Sequence, residues 1–232
     1  MNIGLYLYLN CPCGGLAVRL AKFLYICVKT IIGGFSDAFH FYPVICHGSK
    51  ATIYLHNNML DYGHEYDVKI GDGDALQVNG SAYWLNCIID GGGDTVLGRG
   101  PSYFNHCTLS SYSAFMWIRN TRDNHGNIFN DCTFRGLSKD AVIARLPDNK
   151  GRNYPDAECV LLNCTLDDVP SEGFGPIDKS ASSAVLLEFN SHDKEGKAID
   201  TSKRNKYVRQ LHVIKDAEII GKYSNASWVL NW

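Results

Sequence analysis

Apolar and polar positions divide this chain into two textures. From Ala51 onward, short apolar runs alternate with Gly, Asn, Asp and Ser, the rhythm of brief strands joined by turns. The segments "ATIYLHNNML", "DALQV", "AYWLNCIID", "SYFNHCTLS", "AFMWIRN", "GNIFNDCTF", "AVIARL" and "ECVLLNCTL" read as strands, and none of them holds helical spacing over three turns. Near the end, "NKYVRQLHVIKDAEIIGKY" combines a short apolar run with a predicted helix over Lys215–Tyr223.

The strand phrases repeat. Tyr83–Ile89, Tyr103–Leu109, Ile128–Phe134 and Leu161–Leu166 align on a shared cysteine, and these cysteines lie 20, 25 and 32 positions apart. A period in the twenties that stretches by insertion is the mark of a solenoid, in which each coil is one turn of backbone and insertions leave as surface loops. The fold expected is all-β, a right-handed parallel β-helix with a C-terminal cap. In it Cys87, Cys107, Cys132 and Cys164 stack about 4.8 Å apart as small buried hydrophobes, with asparagines beside them at a bend. None of the four phrases carries a base at fixed offset that would activate a thiolate, so packing is the reading preferred.

Residues 1–48 differ. Arg19, Lys22 and Lys29 punctuate "LAVRLAKFLYICVKTIIGG", which fits neither a secretory signal nor a membrane span. This segment is read as a helical or irregular cap, an atypical export segment or a leader outside the domain, and 49–232 as one β-helix domain. A chain of 232 residues can bury a full core as one domain.

Formal net charge is −2, which gives no overall electrostatic footprint for nucleic acid or an anionic membrane. The nine cysteines show no zinc spacing, "GDGD" lacks the further ligands of a calcium loop, and no metal or cofactor is expected.

Several phrases in order resemble the pectin methylesterases. "DGDALQVNGSAYWLNCIIDGGGDTVL", "CTLSSYSAFMWI", "VIARLPDNKGRNYPDAECVLLNCTLDDVPSEGF", "LLEFNS" and "DTSKR" are similar to successive family segments, from about Ala51 to Trp232. The resemblance implies a parallel β-helix acting on methyl-esterified galacturonan by carboxylic ester hydrolysis, as a monomer, outside the cytoplasm or in the periplasm. In that family one acid attacks the ester carbonyl, a second transfers protons, glutamine amides hold the oxyanion and an arginine orients the nucleophile. Carried over by position, Asp94 matches the proton-transfer acid and Arg145 the arginine. The nucleophile position falls on Ala114, and the two glutamine positions fall on Asp72 and Gly93. A methyl group cannot attack a carbonyl, so the family mechanism does not transfer intact.

Three readings stay open. A relocated catalytic site would draw on Asp94, Arg145 and Asp72, with Asp74 beside them and Asp123 and His125 on a neighbouring loop. A binding module without esterase chemistry would keep the groove, with Trp117, Tyr112, Arg119, Arg145 and Arg152 meeting sugar rings and carboxylates. Lyase or glycosidase chemistry on the same polymer is the third. Against each stands a plainer role: Asp94 as a turn residue, Asp72 and Asp74 as loop acids, His125 as a surface histidine and Trp117 as core.

Overall fold

The computed structural model describes Ile45–His47, Lys50–Thr52, Leu76–Val78 and residues 81–231. Most of the predicted strand Ala51–Leu60, and Asp72 and Asp74, lie outside the described residues.

Strands β1 (Ile45–His47) and β2 (Lys50–Thr52) pair antiparallel. The other strands form a right-handed parallel β-helix of three sheets with six, four and five strands, in which four complete coils each give one strand to each sheet. The first sheet holds β4 (Ala82–Leu85), β7 (Ser102–Asn105), β10 (Asn127–Asn130), β13 (Glu158–Leu162), β16 (Val185–Phe189) and β17 (Val208–Gln210). The second holds β5 (Ile88–Gly91), β8 (Thr108–Ser111), β11 (Thr133–Gly136) and β14 (Thr165–Asp167). The third holds β3 (Leu76–Val78), β6 (Val96–Gly98), β9 (Met116–Ile118), β12 (Ala144–Leu146) and β15 (Phe174–Ile177).

Register converts the repeat into columns. Trp84, Phe104, Phe129 and Leu161 are in-register partners on the first sheet. The Phe104 and Phe129 rings stack at 4.6 Å inside the coil, with Trp84 next to Phe104 at 5.9 Å. Each such side chain is worth about 1.5–3 kcal/mol in burial. On the second sheet Ile89, Leu109, Phe134 and Leu166 form another interior column.

Between those sheets the chain bends at one residue. Asn86, His106, Asp131, Asn163 and Asn190 all have φ between +51° and +55°, a conformation that Asn and Asp tolerate best among non-glycine residues. The next residue in four of the five is the repeated cysteine, and Cys87, Cys107, Cys132 and Cys164 are all buried free thiols. Each thiol faces the carbonyl oxygen two residues earlier at 3.3–3.5 Å, so the bend supplies its own weak acceptor. Burial pushes the Cys107 and Cys164 thiols well up, away from the thiolate a nucleophile needs. The asparagine ladder proves to be two columns. Asn86, Asn163 and Asn190 sit at the bend, whereas Asn105 and Asn130 sit one residue earlier, where Asn130 Nδ2 donates to Asn105 Oδ1 at 3.0 Å.

All five residues of β13 are buried, because the first sheet is covered on both faces. Its outer face packs Tyr103, Ile128, Val160 and Leu187 against Tyr223, Val229 and Leu230 of the C-terminal cap. The predicted helix runs Ala217–Tyr223 (α1) and a second follows at Ala226–Leu230 (α2), capped by the Asn225 side chain, which accepts from Ser227 and Trp228 N–H groups. No described helix is long and apolar enough to cross a membrane.

The interior aromatic column ends in a charge. Glu188 follows Leu161 in register and is fully buried. Arg204, itself 4% exposed, donates from Nε and Nη2 to its two oxygens at 2.9 Å, and Gln210 Nε2 adds a bond at 2.7 Å. Arg204 Nη1 also donates to the Ser171 carbonyl. Gly173, at φ +66°, lies so close that a Cβ would stand 2.9 Å from Arg204 Cδ and Nε.

Candidate functional site

The turn between β5 and β6 carries Asp94 at φ +44°, and its N–H donates to the Ala114 carbonyl at 2.6 Å. Gly93 has a steric reason: a Cβ there would lie 2.9 Å from Ser113 Cβ on the next coil. A side-chain amide at position 93 therefore has no room in this turn. Thr95, fully buried, donates to Ser111 Oγ at 2.9 Å and ties the turn's far side to the same neighbouring coil.

Arg145 leaves β12 in register with Trp117 of β9, and Trp117 with Leu97 of β6, on the outer face of the third sheet. Its guanidinium reaches across to Asp94. Nε donates to Oδ1 at 2.7 Å and Nη2 donates to Oδ2, a bidentate pair with side chains 30% and 15% exposed. The same guanidinium sits 5.0 Å from the Trp117 ring centre, and Arg119 sits 5.2 Å from it. Tyr154 meets that ring edge-on at 6.2 Å. Trp117 is half-buried, so it works as a spacer holding two guanidinium groups beside each other's coil.

Beside Arg145 opens a cleft of about 580 Å³, whose wall includes Ser113, Ala114, Asp140, Glu172 and Asn205. Ser113 is exposed and Ala114 is buried in the turn that joins β8 to β9. Ala114, the position expected to hold an attacking acid, presents a methyl at 3% exposure. Among the described residues, the carboxylates close to Ala114 are Asp94, whose two oxygens are both engaged by Arg145, and the exposed Asp140 and Glu172 on the cleft wall.

The sequence candidates separate into those that meet and those that do not. Asp94, Arg145, Trp117 and Arg119 form one connected group. His125 stands against the cap: Nδ1 contacts Glu158 Oε1 at 2.8 Å, and its ring lies 4.3 Å from Trp228 and 5.8 Å from Tyr223. Asp123 is exposed and accepts from Thr121 Oγ1 at 2.9 Å within its own loop. Arg152 is exposed on the turn before β13, and Tyr112 is 61% exposed. Sequence reading missed Tyr154, although "GRNYPDAE" places an aromatic in an arginine-bearing turn, and it missed Asp140 and Glu172, which only coil stacking brings to Ala114. A buried Asn120 joins the loops on either side: Oδ1 accepts from Glu158 N–H at 2.8 Å, and Nδ2 donates to the carbonyls of Thr121, Asn124 and Asp156. Among the described residues no group of three or more metal-ligating side chains converges.

No protein-family model matches the chain, and no curated protein matches it. Among solved structures, the fold is similar to the crystal structure of the pectin methylesterase from Aspergillus niger, with TM-score 0.52 and 22% identity over 68% of this chain and 52% of that one. The chain therefore spans about half the length of that protein, and the likeness is one of fold: a parallel β-helix.

Proposed function

We propose that this is a pectinesterase-like protein whose outer groove on the third sheet holds a galacturonan-type polysaccharide, outside the cytoplasm. The observation that carries the reading is the Asp94–Arg145 pair set against Trp117 at the edge of the cleft. Guanidinium groups on an aromatic face suit sugar carboxylates, which they can meet bidentately, and the flanking cleft has room for sugar rings. The fold likeness to a pectin methylesterase supports the substrate class.

Chemically, the groove favours holding over acyl transfer. The position at which the family resemblance places the attacking acid, 114, holds a buried methyl. Ester hydrolysis by a second route keeps one supporting observation: Asp94 is still partly exposed, so its carboxylate can orient a water against an ester bound over Arg145. Purified protein incubated with highly methylated pectin separates these. The expected result is saturable binding with no methanol release; release that vanishes in Asp94→Asn would establish the water route. Shortened polymer chains would mean lyase or glycosidase chemistry instead. Absence of binding to any galacturonan would overturn the reading.

A further inference from the structure

One side of the cleft beside Arg145 is built by a single loop and the residue that backs it. Pro170, Glu172, Phe174, Gly175 and Pro176 come from the segment running from β14 into β15, and Asn205 from the stretch before β17. Within the loop only short turns fix the path: Gly173 N–H donates to the Pro170 carbonyl at 2.9 Å and Phe174 N–H to that of Glu172 at 2.7 Å, while Ser171 and Glu172 are exposed. The anchor comes from behind. Arg204 Nη1 donates to the Ser171 carbonyl at 2.7 Å, Asn205 N–H donates to the Glu172 carbonyl at 3.2 Å, and Gly173 lies directly against the Arg204 side chain. Ile143 N–H, next to Val142 of the opposite wall, donates to the Gly173 carbonyl at 2.6 Å.

Arg204 thus sits on the inner side of a loop whose outer side faces the cleft, with its side chain almost fully buried. A guanidinium stays in such a place only against a fixed counter-charge. Glu188 supplies it through both oxygens, and Gln210 steadies the same carboxylate. Removing that charge leaves Arg204 dry and unpaired; the guanidinium then swings toward water, which takes Nη1 off Ser171 and frees the loop. Arg204, Glu188 and Gln210 do not line the cleft themselves, so they reach a ligand only through this loop. We infer that Arg204, held by Glu188, is a positioning residue for the cleft: it sets the wall 170–176 against which the polymer is held. The identity of that polymer rests on the pectin reading given above, whereas the coupling of interior to wall does not.

The test uses the full chain. Arg204→Lys keeps a positive charge opposite Glu188 but loses the second donor arm to Ser171, and Glu188→Gln removes the counter-charge at nearly constant volume; either suffices if the other fails to fold. Asn86→Ala, strained at φ +54° in the bend of the first coil, is the control for lost stability away from the cleft. The readouts are amide hydrogen exchange of the free protein and titration with highly methylated pectin. Expected in Arg204→Lys and Glu188→Gln are exchange about tenfold faster at the Gly173 and Asn205 amides than in Asn86→Ala, and severalfold weaker binding of pectin, while the control keeps wild-type affinity. Unchanged exchange at those two amides would overturn the inference, and so would wild-type affinity in a variant whose wall has loosened. If the wild-type protein binds no galacturonan, the pectin reading falls and the exchange rates alone decide whether Arg204 sets the wall.

Discussion

Two arginine–carboxylate pairs in this protein have the same bidentate chemistry and opposite surroundings. Glu188–Arg204 lies inside the coil, with side chains 0% and 4% exposed, where the interior column changes from rings to charge. Asp94–Arg145 lies on the outer face, 15% and 30% exposed, against Trp117 and an open cleft. The buried pair has every strong acceptor and donor occupied by protein: Gln210 and the Ser171 carbonyl complete it. The outer pair has a solvent-facing side where another anion or a water can enter. Position relative to the coil wall decides which pair is sealed inside and which keeps a solvent-facing side.

The comparison breaks most visibly if the inner pair is cut. Arg204→Ala leaves Glu188 charged in a dry core, and a loss of about 3–5 kcal/mol is expected in chemical denaturation. Gly173→Ala should follow at about 2 kcal/mol, since it strains a positive-φ residue and pushes on the Arg204 guanidinium without removing any charge. If that variant is neutral, the guanidinium is less tightly seated than its contacts state.

Acid sharpens the contrast. Burial acts to raise the Glu188 carboxyl, but the bonds and charge of Arg204 with the Gln210 amide outweigh it, and the group is held below its ordinary value near 4.5. A carboxyl depressed on folding contributes stability fully above its unfolded value and loses it as pH falls through the folded one. Stability should therefore decline below about pH 4.5, and Glu188→Gln should flatten that limb in a series of denaturation curves while lowering the plateau.

At the bend, Asn163→Ala should cost about 1–2 kcal/mol by thermal or chemical unfolding, the strain of alanine at φ +55°. Smallest in stability is Arg145→Ala, expected within about 1 kcal/mol as for other partly exposed pairs, yet it should abolish most galacturonan binding. A large stability loss there would erase the distinction between the two pairs.

The sequence by itself determined the coil. Periodic cysteines at 87, 107, 132 and 164 set the register, because any slip by one residue would turn a whole interior column outward. It also brought Asp94 and Arg145 forward, 51 positions apart, and showed Ala114 where an acid was expected. It did not reveal that the bend residue precedes the cysteine, so that His106 and Asp131 replace asparagine there, since backbone φ is not written in an apolar repeat. Only the tertiary structure decided which loops share a coil edge. Insertion lengths between strands differ, so sequence distance says nothing of whether His125 faces the groove, and packing sends it to Glu158 and the cap. Stacking of the third sheet likewise brought Tyr154 to Trp117: adjacency along a solenoid axis is fixed by hydrogen-bonded register, which local sequence specifies only strand by strand.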